Sequence, residues 1–461
     1  MSRSLPRLVI AGTHSGVGKT SITLALVAAL KKRGLKVQTF KVGPDFLDPT
    51  YLALASGRPC YNLDGWMTSK EYVRELFDRV SWDADLALIE GVMGLFDGAD
   101  PTNSESSTAE IAHWLNAPVV LVANVHGQAR SLAALVKGFN EFDPDIKLAG
   151  IIANQSGSSQ HGNWLKTSLE AASLPPLLGA VSRGSLPDLA SRHLGLVTAD
   201  RKNLSPKTLD HSAQGLESQI PLEAFLEKAR SAPSWELPEP RVEEISNTWK
   251  LSLGYAYDQA FHFYYQDNLE ALRRRGADLI PFSMLDNPHL PRRLDALYLG
   301  GGYPEEYARE LGENQTILQE IREFAEQGKP IYAECGGLMI LTQGIETLDN
   351  QRYPMVGLLP VWTRMLPRLK SLGYVQVRLI RSSLWGDKGD ELRGHEFHYS
   401  ELMGNPCDQR AWQPVYEITK RRRKGIILEG FQSGQVLASY AHLHWASRPK
   451  AVEAFLENCA R

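Results

Sequence analysis

LVIAGTHSGVGKTSITLALVAALKKRGLKVQTFKVG, residues 8–43, is the stretch from which the fold can be read. LVIA (8–11) has the apolar, β-branched character of a buried strand. SITLALVAALKKRG (21–34) has helical periodicity and closes on Gly34, and VQTFKVG (37–43) is strand-like again. Together they make one βαβ unit. Between its first strand and its helix lies AGTHSGVGKTS (11–21), where a phosphate-binding loop has to be. The backbone N–H groups of Gly16, Val17 and Gly18 can close around phosphate oxygens, Lys19 can reach the terminal phosphates, and Thr20 offers a hydroxyl to Mg²⁺. The common spacing G-x-x-x-x-G-K-[ST] would put Gly at position 13; this chain has Thr13, with Gly12 one step earlier, so the loop is a variant.

Outward from this unit the alternation continues through DLALIEGV (85–92), PVVLVANV (118–125), ARSLAALVKGFNEF (129–142) and KLAGIIAN (147–154). Strands this apolar are covered on both faces, which predicts a mostly parallel, doubly wound sheet. SAPSWELPEPRVEEISNTW (231–249) loses periodicity and gains proline and charge, so it reads as a linker between an ATP- and Mg²⁺-binding domain, 1–230, and a second α/β domain, 250–461. LSLGYAY, ADLIPF, DALYLGGG and PIYAECGG carry the strand signals of that second half. At 461 residues, two domains of roughly 200 residues are the natural division.

Composition excludes several function classes. A net charge of −3 gives no general surface for nucleic acid, and KRRRK (420–424), set between VYEI and GIIL, reads as a solvated hairpin or strand edge. Cys60, Cys335, Cys407 and Cys459 are far apart and form neither a disulfide framework nor a zinc motif, which fits a reducing, cytoplasmic setting. No run of about 18 apolar residues marks a membrane span, and the N-terminus has no signal-peptide pattern.

A magnesium site needs hard oxygen ligands. Asp45 in KVGPDFLDPTY and Glu90 in LIEGVMGLFDG stand at strand ends, where ligands collect in open α/β sheets, and join Thr20 as the expected metal set. A helix-cap or turn role competes for either acid alone. In the second half, IYAECGGLMI (331–340) places Cys335 between a strand and a glycine-punctuated helix start, where a nucleophile is held out. VLASYAHLHWAS (436–447) is strand-like and puts His442 and His444 on one face, so one of them can be the base. In LGGGYPEEYA (299–308), Gly301 and Gly302, together with Gly336, offer N–H groups for an oxyanion.

GTHSGVGKT with KVGPDFLDPTYL, NLDGWM and EGVMGLFDG resembles the ATP-binding half of the cobyrinate a,c-diamide synthases, whose loop is shared with dethiobiotin synthetase. The order of AECGGL, the glycine loop and the late histidine resembles class I glutamine amidotransferases. RGHEFHYSEL (393–402) and YDQAFHFYYQDNLEALRRRGA (257–277) also resemble the diamide synthases, so the likeness spans nearly the whole chain. It implies a dethiobiotin-synthetase-like domain followed by an amidotransferase domain. It further implies that Asp48 and Asp97 lie near substrate carboxylates and that Asn154 of GIIAN faces adenine, with turn roles as the competing readings for all three.

RGHEFHYSEL is read as structural or corrin-contacting, and His14, where partitioning ATPases carry a signature lysine, as an exposed loop residue. Aligned with the family's usual ending, His442 is the base and His444 stands where the orienting acid is expected, which leaves the orienting group open. The implied reaction is ATP-dependent, glutamine-hydrolysing amidation of the a and c carboxylates of cobyrinate, with hydrogenobyrinate or nickel-sirohydrochlorin as alternative rings. Cobyric acid synthase, whose loop resembles TTSNAGKS, ranks lower. The readings from other classes are an ATP-dependent switch with an inert amidotransferase half and a plain corrinoid-binding protein. Oligomeric state is open, and a homodimer is compatible with the sequence.

Overall fold

A computed structural model describes residues 2–187, 204–236, 249–421 and 425–461. The chain divides into two compact units, Met1–Val242 and Glu243–Arg461. Among the described residues, no helix is long and apolar enough to cross a membrane.

The first unit is built on a seven-stranded sheet in the order Tyr61–Leu63, Val37–Val42, Leu86–Glu90, Arg7–Gly12, Val119–Asn124, Leu148–Ser156, Leu177–Ser182. Every neighbouring pair is parallel. Alternate residues of each strand feed different cores: Val9 and Ala11 pack on one face, Leu8 and Ile10 on the other. That double burial is why the strands read as unbroken apolar runs. Arg7–Gly12 is flanked by Leu86–Glu90 on one side and Val119–Asn124 on the other, so the loop after Gly12 opens at the point where strand order reverses.

Trp235, placed by sequence in the linker, belongs instead to this unit. The strand Trp235–Glu236 pairs antiparallel with Ser2–Arg3, and the Trp235 indole is buried against Phe77 with the Arg7 and Arg74 guanidinium groups over its ring. Cation–π contact and burial outweigh the proline-rich surroundings that suggested a linker. Residues 237–248 of the predicted linker lie outside the described residues.

The second unit carries a ten-stranded mixed sheet. Its first five strands, Ala277–Phe282, Leu251–Ala256, Ala296–Leu299, Ile331–Glu334 and Val436–Ser439, are parallel. The remaining five, Ile426–Ser433, Gln413–Lys420, Ser371–Leu379, Glu391–His398 and His442–His444, run antiparallel to their neighbours. A separate four-stranded sheet holds Thr342–Glu346, Arg352–Pro354, Leu359–Met365 and Ser400–Leu402. The strand–helix alternation carried by LSLGYAY through PIYAECGG ends at Leu341: from Thr342 to His444 the described residues hold strands and one short 3₁₀ turn. Gln413–Lys420 and Ile426–Ser433 pair antiparallel on either side of the basic run, as a hairpin requires; residues 422–424 lie outside the described residues.

VLASYAHLHWAS, expected as one strand, is two. Val436–Ser439 lies beside Ile331–Glu334, whereas His442–His444 lies beside Glu391–His398 at the far end of the sheet order. The break has a local cause. The N–H of Tyr440 donates to the buried Glu429 carboxylate (2.7 Å) and that of Ala441 to Ser439 Oγ (3.0 Å), so neither is left for the ladder.

Candidate active sites

In the first unit, the helix Lys19–Lys32 starts from Gly18 at φ 92°, with no side chain capping it and no acid in its first turn. Its leading N–H groups and its dipole are left for an anion. Gly16, at φ 81°, also needs the left-handed freedom of glycine, while Val17 is buried and anchors the loop between them. Asn154, at the end of its strand, donates from Nδ2 to Val17 O at 2.8 Å and accepts from Gln155 N at 2.9 Å, so its amide holds the loop's backbone. The Lys19 ammonium donates to Met93 O. His14 is exposed.

Beneath the loop sits a cluster of charge. Thr20 Oγ1 donates to Glu90 Oε1 at 2.7 Å and reaches Asp48 Oδ2 at 3.3 Å. Lys41, a residue that sequence reasoning passed over, points its ammonium into the same place. It donates to Asp48, to Glu90 Oε1 (2.9 Å) and to Gly91 O (3.2 Å), and lies 3.9 Å from Asp45. Its side chain is 3% exposed and that of Glu90 is 0% exposed. Asp45 accepts from the N–H groups of Leu47 (2.8 Å) and Asp48 (3.1 Å), so it shapes its own turn as well as facing the cluster. Asp97 is exposed, and one of its oxygens accepts from Gly94 N at 2.9 Å.

Burial drives the protonation of these groups, and mutual charge modifies it. Burial, with Asp48 adding to it and Lys41 opposing, pushes Glu90 up to about 7. Asp45 is raised by burial and by Asp48. Burial would also raise Asp48, but the Lys41 ammonium holds it below the usual carboxylate range. Lys41 loses by burial and gains more from Asp48 and Glu90, so it stays charged, while burial and then Lys41 bring Lys19 down to about 8.

Glu90 Oε2 is buried with no hydrogen-bond partner. A hard cation fits there, because an orphaned carboxylate oxygen next to Thr20 supplies the ligand type that magnesium takes. Among the described residues, no set of three or more His, Cys, Asp or Glu residues is arranged to hold a metal without other ligands. Any ion here therefore needs oxygens from water and phosphate as well.

In the second unit, Ile331–Glu334 ends at Cys335, whose φ of 49° and ψ of −101° lie in a region L residues seldom occupy, and the helix Gly336–Leu341 follows at once. The turn is held from both sides: Cys335 N donates to Ser439 O at 2.7 Å and Met339 N to Cys335 O at 3.0 Å. Gly337 is forced by packing, since a Cβ there would lie 2.1 Å from Leu299 O. A strained strand–nucleophile–helix turn is the geometry that presents a side chain to substrate.

Gly301–Gly302 forms a short strand with Phe261–Phe263. A Cβ on Gly336 would come within 3.0 Å of Gly302 N, and one on Gly301 within 2.4 Å of His442 Cε1. These close approaches bring Gly301, Gly302, Gly336 and His442 to one place beside Cys335. The N–H of Gly300, by contrast, is already taken by Tyr264 Oη at 2.9 Å. Burial, reinforced by the charge of Glu305, pushes the Cys335 thiol well up from its ordinary value, so the sulfur rests protonated.

Residues 8–197 match the family described as the CobQ/CobB/MinD/ParA nucleotide binding domain, and residues 252–450 the CobB/CobQ-like glutamine amidotransferase domain. A cobyrinate a,c-diamide synthase of Syntrophotalea carbinolica is 56% identical, over 99% of both chains. One from Leptospira interrogans is 44% identical over the full length of both, and one from Priestia megaterium 41% identical over 98% of this chain and 97% of its own.

The chain belongs to the cobyrinate a,c-diamide synthase family.

Within that family frame, several residues near the thiol were missed by sequence reasoning. His395, in the segment read as structural or corrin-contacting, is buried in the amidotransferase unit. Its ring stacks on that of His442 with centroids 5.0 Å apart, and the Tyr265 hydroxyl lies 2.8 Å from its Nδ1. Burial and the neighbouring His442 and His444 lower His395 well below the ordinary histidine range, so it stays neutral. His444 pairs through Nε2 with Asp267 at 3.1 Å. Asn268 clamps the histidine strand, donating to Leu443 O (2.9 Å) and accepting from Trp445 N (3.0 Å), as a neighbouring strand would. Asp267 and Asn268, hidden inside an aromatic run, leave little sequence signal. Only their burial would have singled them out.

Proposed function

We propose that the protein amidates the a and c side-chain carboxylates of cobyrinate in cobalamin biosynthesis, using glutamine as nitrogen donor and ATP as activator. The observation that carries the reading is that one chain holds both a phosphate loop over buried acids and a strained cysteine elbow beside a histidine. Amide formation from a free carboxylate needs both, because the acyl group must first gain a leaving group and the nitrogen must arrive as ammonia.

At the thiol, Cys335 Sγ attacks the side-chain amide carbon of glutamine while His442 takes the S–H proton. N–H groups of Gly301, Gly302 and Gly336 hold the negative oxygen of the tetrahedral intermediate. Collapse expels ammonia, which takes the proton back from His442, and water then hydrolyses the thioester to glutamate and regenerates the thiol. A thiol raised by burial makes the base indispensable.

At the loop, Gly16, Val17, Gly18 and Lys19 hold the phosphates of ATP, and Asn154 keeps the loop in that shape next to the nucleotide. Thr20, Asp45 and Glu90 would hold Mg²⁺, which supplies charge neutralisation at the transferring phosphoryl group. Lys41 and Lys19 flank the cluster with fixed positive charge. By the family likeness, Asp48 and Asp97 would lie near the corrinoid's carboxylates. A side-chain carboxylate of the substrate takes the terminal phosphoryl group, ADP departs, and ammonia displaces phosphate. The four cysteines are all unpaired, which suits work in the reducing cytoplasm.

The test is mass spectrometry of cobyrinate incubated with the protein, Mg²⁺, ATP and glutamine, beside Cys335→Ala supplied with glutamine or with ammonia. A diamide from the wild type, with the variant active on ammonia alone, is the expected result. Cobyrinate unchanged while ATP and glutamine are consumed would sink the substrate assignment and redirect it to a ring with nickel or without metal.

A further inference from the structure

A histidine that takes a proton from a thiol works best when a carboxylate behind it fixes its ring and balances the imidazolium. The position two residues after the base holds His444 here, whose own partner is Asp267. We propose that the positioning acid of His442 is Glu334, the residue directly before the nucleophile.

The geometry supports this from both edges of the imidazole. The Cε1–Nε2 edge of His442 faces Gly301: a Cβ on that glycine would meet Cε1 at 2.4 Å and Nε2 at 3.3 Å. That edge is the one beside the oxyanion strand. On the other edge, Nδ1 lies 3.8 Å from Glu334 Oε2, an ion-pair distance that shortens to a hydrogen bond with a small ring movement. Both side chains are nearly inaccessible, at 1% and 3% exposure.

Glu334 is also held as a fixed acceptor. Tyr298 Oη donates to Oε2 at 2.9 Å, Tyr332 Oη to Oε1 at 2.6 Å, and the backbone N–H of Leu443 to Oε1 at 3.0 Å. The last bond ties the carboxylate to the histidine strand itself. One side chain thus sets the distance between the strand that ends in the nucleophile and the strand that carries the base. Among the described residues, His395, with Tyr265 behind it, stacks on the ring and stays neutral, Phe263 lies beside it, and His444 is paired with Asp267. Glu334 is a carboxylate within ion-pair distance of the His442 ring.

The proposal rests on Cys335 and His442 acting as nucleophile and base, and the experiment separates the two ideas. Glutamine hydrolysis by the full chain is followed from acid to alkaline pH for wild type, Glu334→Gln, Glu334→Asp, Asp267→Asn and His442→Asn, with ammonia-driven amidation as the control. Glu334→Gln should lower glutamine-dependent kcat at least about tenfold with KM nearly unchanged. It should also move the acid limb of kcat/KM about one pH unit lower, because an imidazolium without its counter-charge loses its proton more easily. Glu334→Asp should recover part of the rate and return the limb, and Asp267→Asn should leave the limb in place.

A wild-type profile in Glu334→Gln, or a limb that moves in Asp267→Asn instead, overturns the proposal. Full glutaminase activity in His442→Asn would overturn the base assignment beneath it. Should both Glu334 variants fail to fold, NMR titration of histidine-labelled wild type decides. A His442 imidazole titrating above about 6.5 supports the carboxylate, and one below it does not.

Discussion

Substituting Gly301 with alanine would act on the base through its ring while leaving the Cys335 sulfur untouched. The added Cβ would lie 2.4 Å from His442 Cε1 and 3.2 Å from Phe263 Cβ. Carbon atoms in comfortable contact sit at about 3.5 Å, so ring and methyl must part by about 1 Å. The short strand is pinned against Phe261–Phe263, and the histidine ring is stacked on His395, so neither side can yield alone. A misplacement of about 1 Å in a catalytic group costs on the order of 100-fold, or about 2.7 kcal/mol of transition-state stabilisation. The expected outcome is therefore a roughly 100-fold fall in glutamine-dependent kcat/KM, with ammonia-dependent amidation and ATP turnover within about twofold of wild type. Steady-state assays with each nitrogen source measure both quantities. Unchanged glutamine hydrolysis in Gly301→Ala would refute the placement of His442 beside the oxyanion strand, and an equal loss with both nitrogen sources would show that the change had simply damaged the protein.

Three further outcomes follow from the same contacts. Lys41→Met leaves the buried Glu90 and Asp48 without their counter-charge; calorimetry at neutral pH should show a loss of about 3–5 kcal/mol from the first unit. That loss should shrink as pH falls, because acids lifted above their unfolded pKa bind protons more readily in the folded state and so gain stability toward acid. In the unsubstituted protein Glu90 sits at about 7, so protons compete with a metal for it: titration calorimetry should find Mg²⁺-nucleotide affinity up to about tenfold weaker at pH 6 than at pH 8. Trp235→Ala empties a site packed by Phe77, Arg7 and Arg74 and should cost about 3–5 kcal/mol, read as a lower first transition on heating.

What the sequence made legible, and what it hid, divides along physical lines. The phosphate loop was readable because glycine at a left-handed position and lysine at a helix start have few other uses, and the parallel sheet because strands buried on both faces have no polar alternation. The cysteine elbow showed through its glycines: Gly337 stands where any side chain would strike Leu299. Lys41 was hidden because it occupies an ordinary place in VQTFKV, and nothing local says that its ammonium ends among Asp48, Glu90 and Asp45. His395 was hidden because its neighbour His442 is 47 residues away and only the antiparallel pairing joins them. The split after Ser439 depends on Glu429, a partner on another strand, and period-two reasoning cannot see it. Contacts between residues far apart in sequence, rather than local propensity, account for each of these gaps.

The depth at which Cys335 lies has a consequence for the protein's chemical durability. Peroxide and electrophiles react with thiolates far faster than with thiols. Burial that favours the thiol over the thiolate therefore slows both reactions at Cys335. The same burial that obliges the site to carry a base thus also slows chemical damage to its nucleophile.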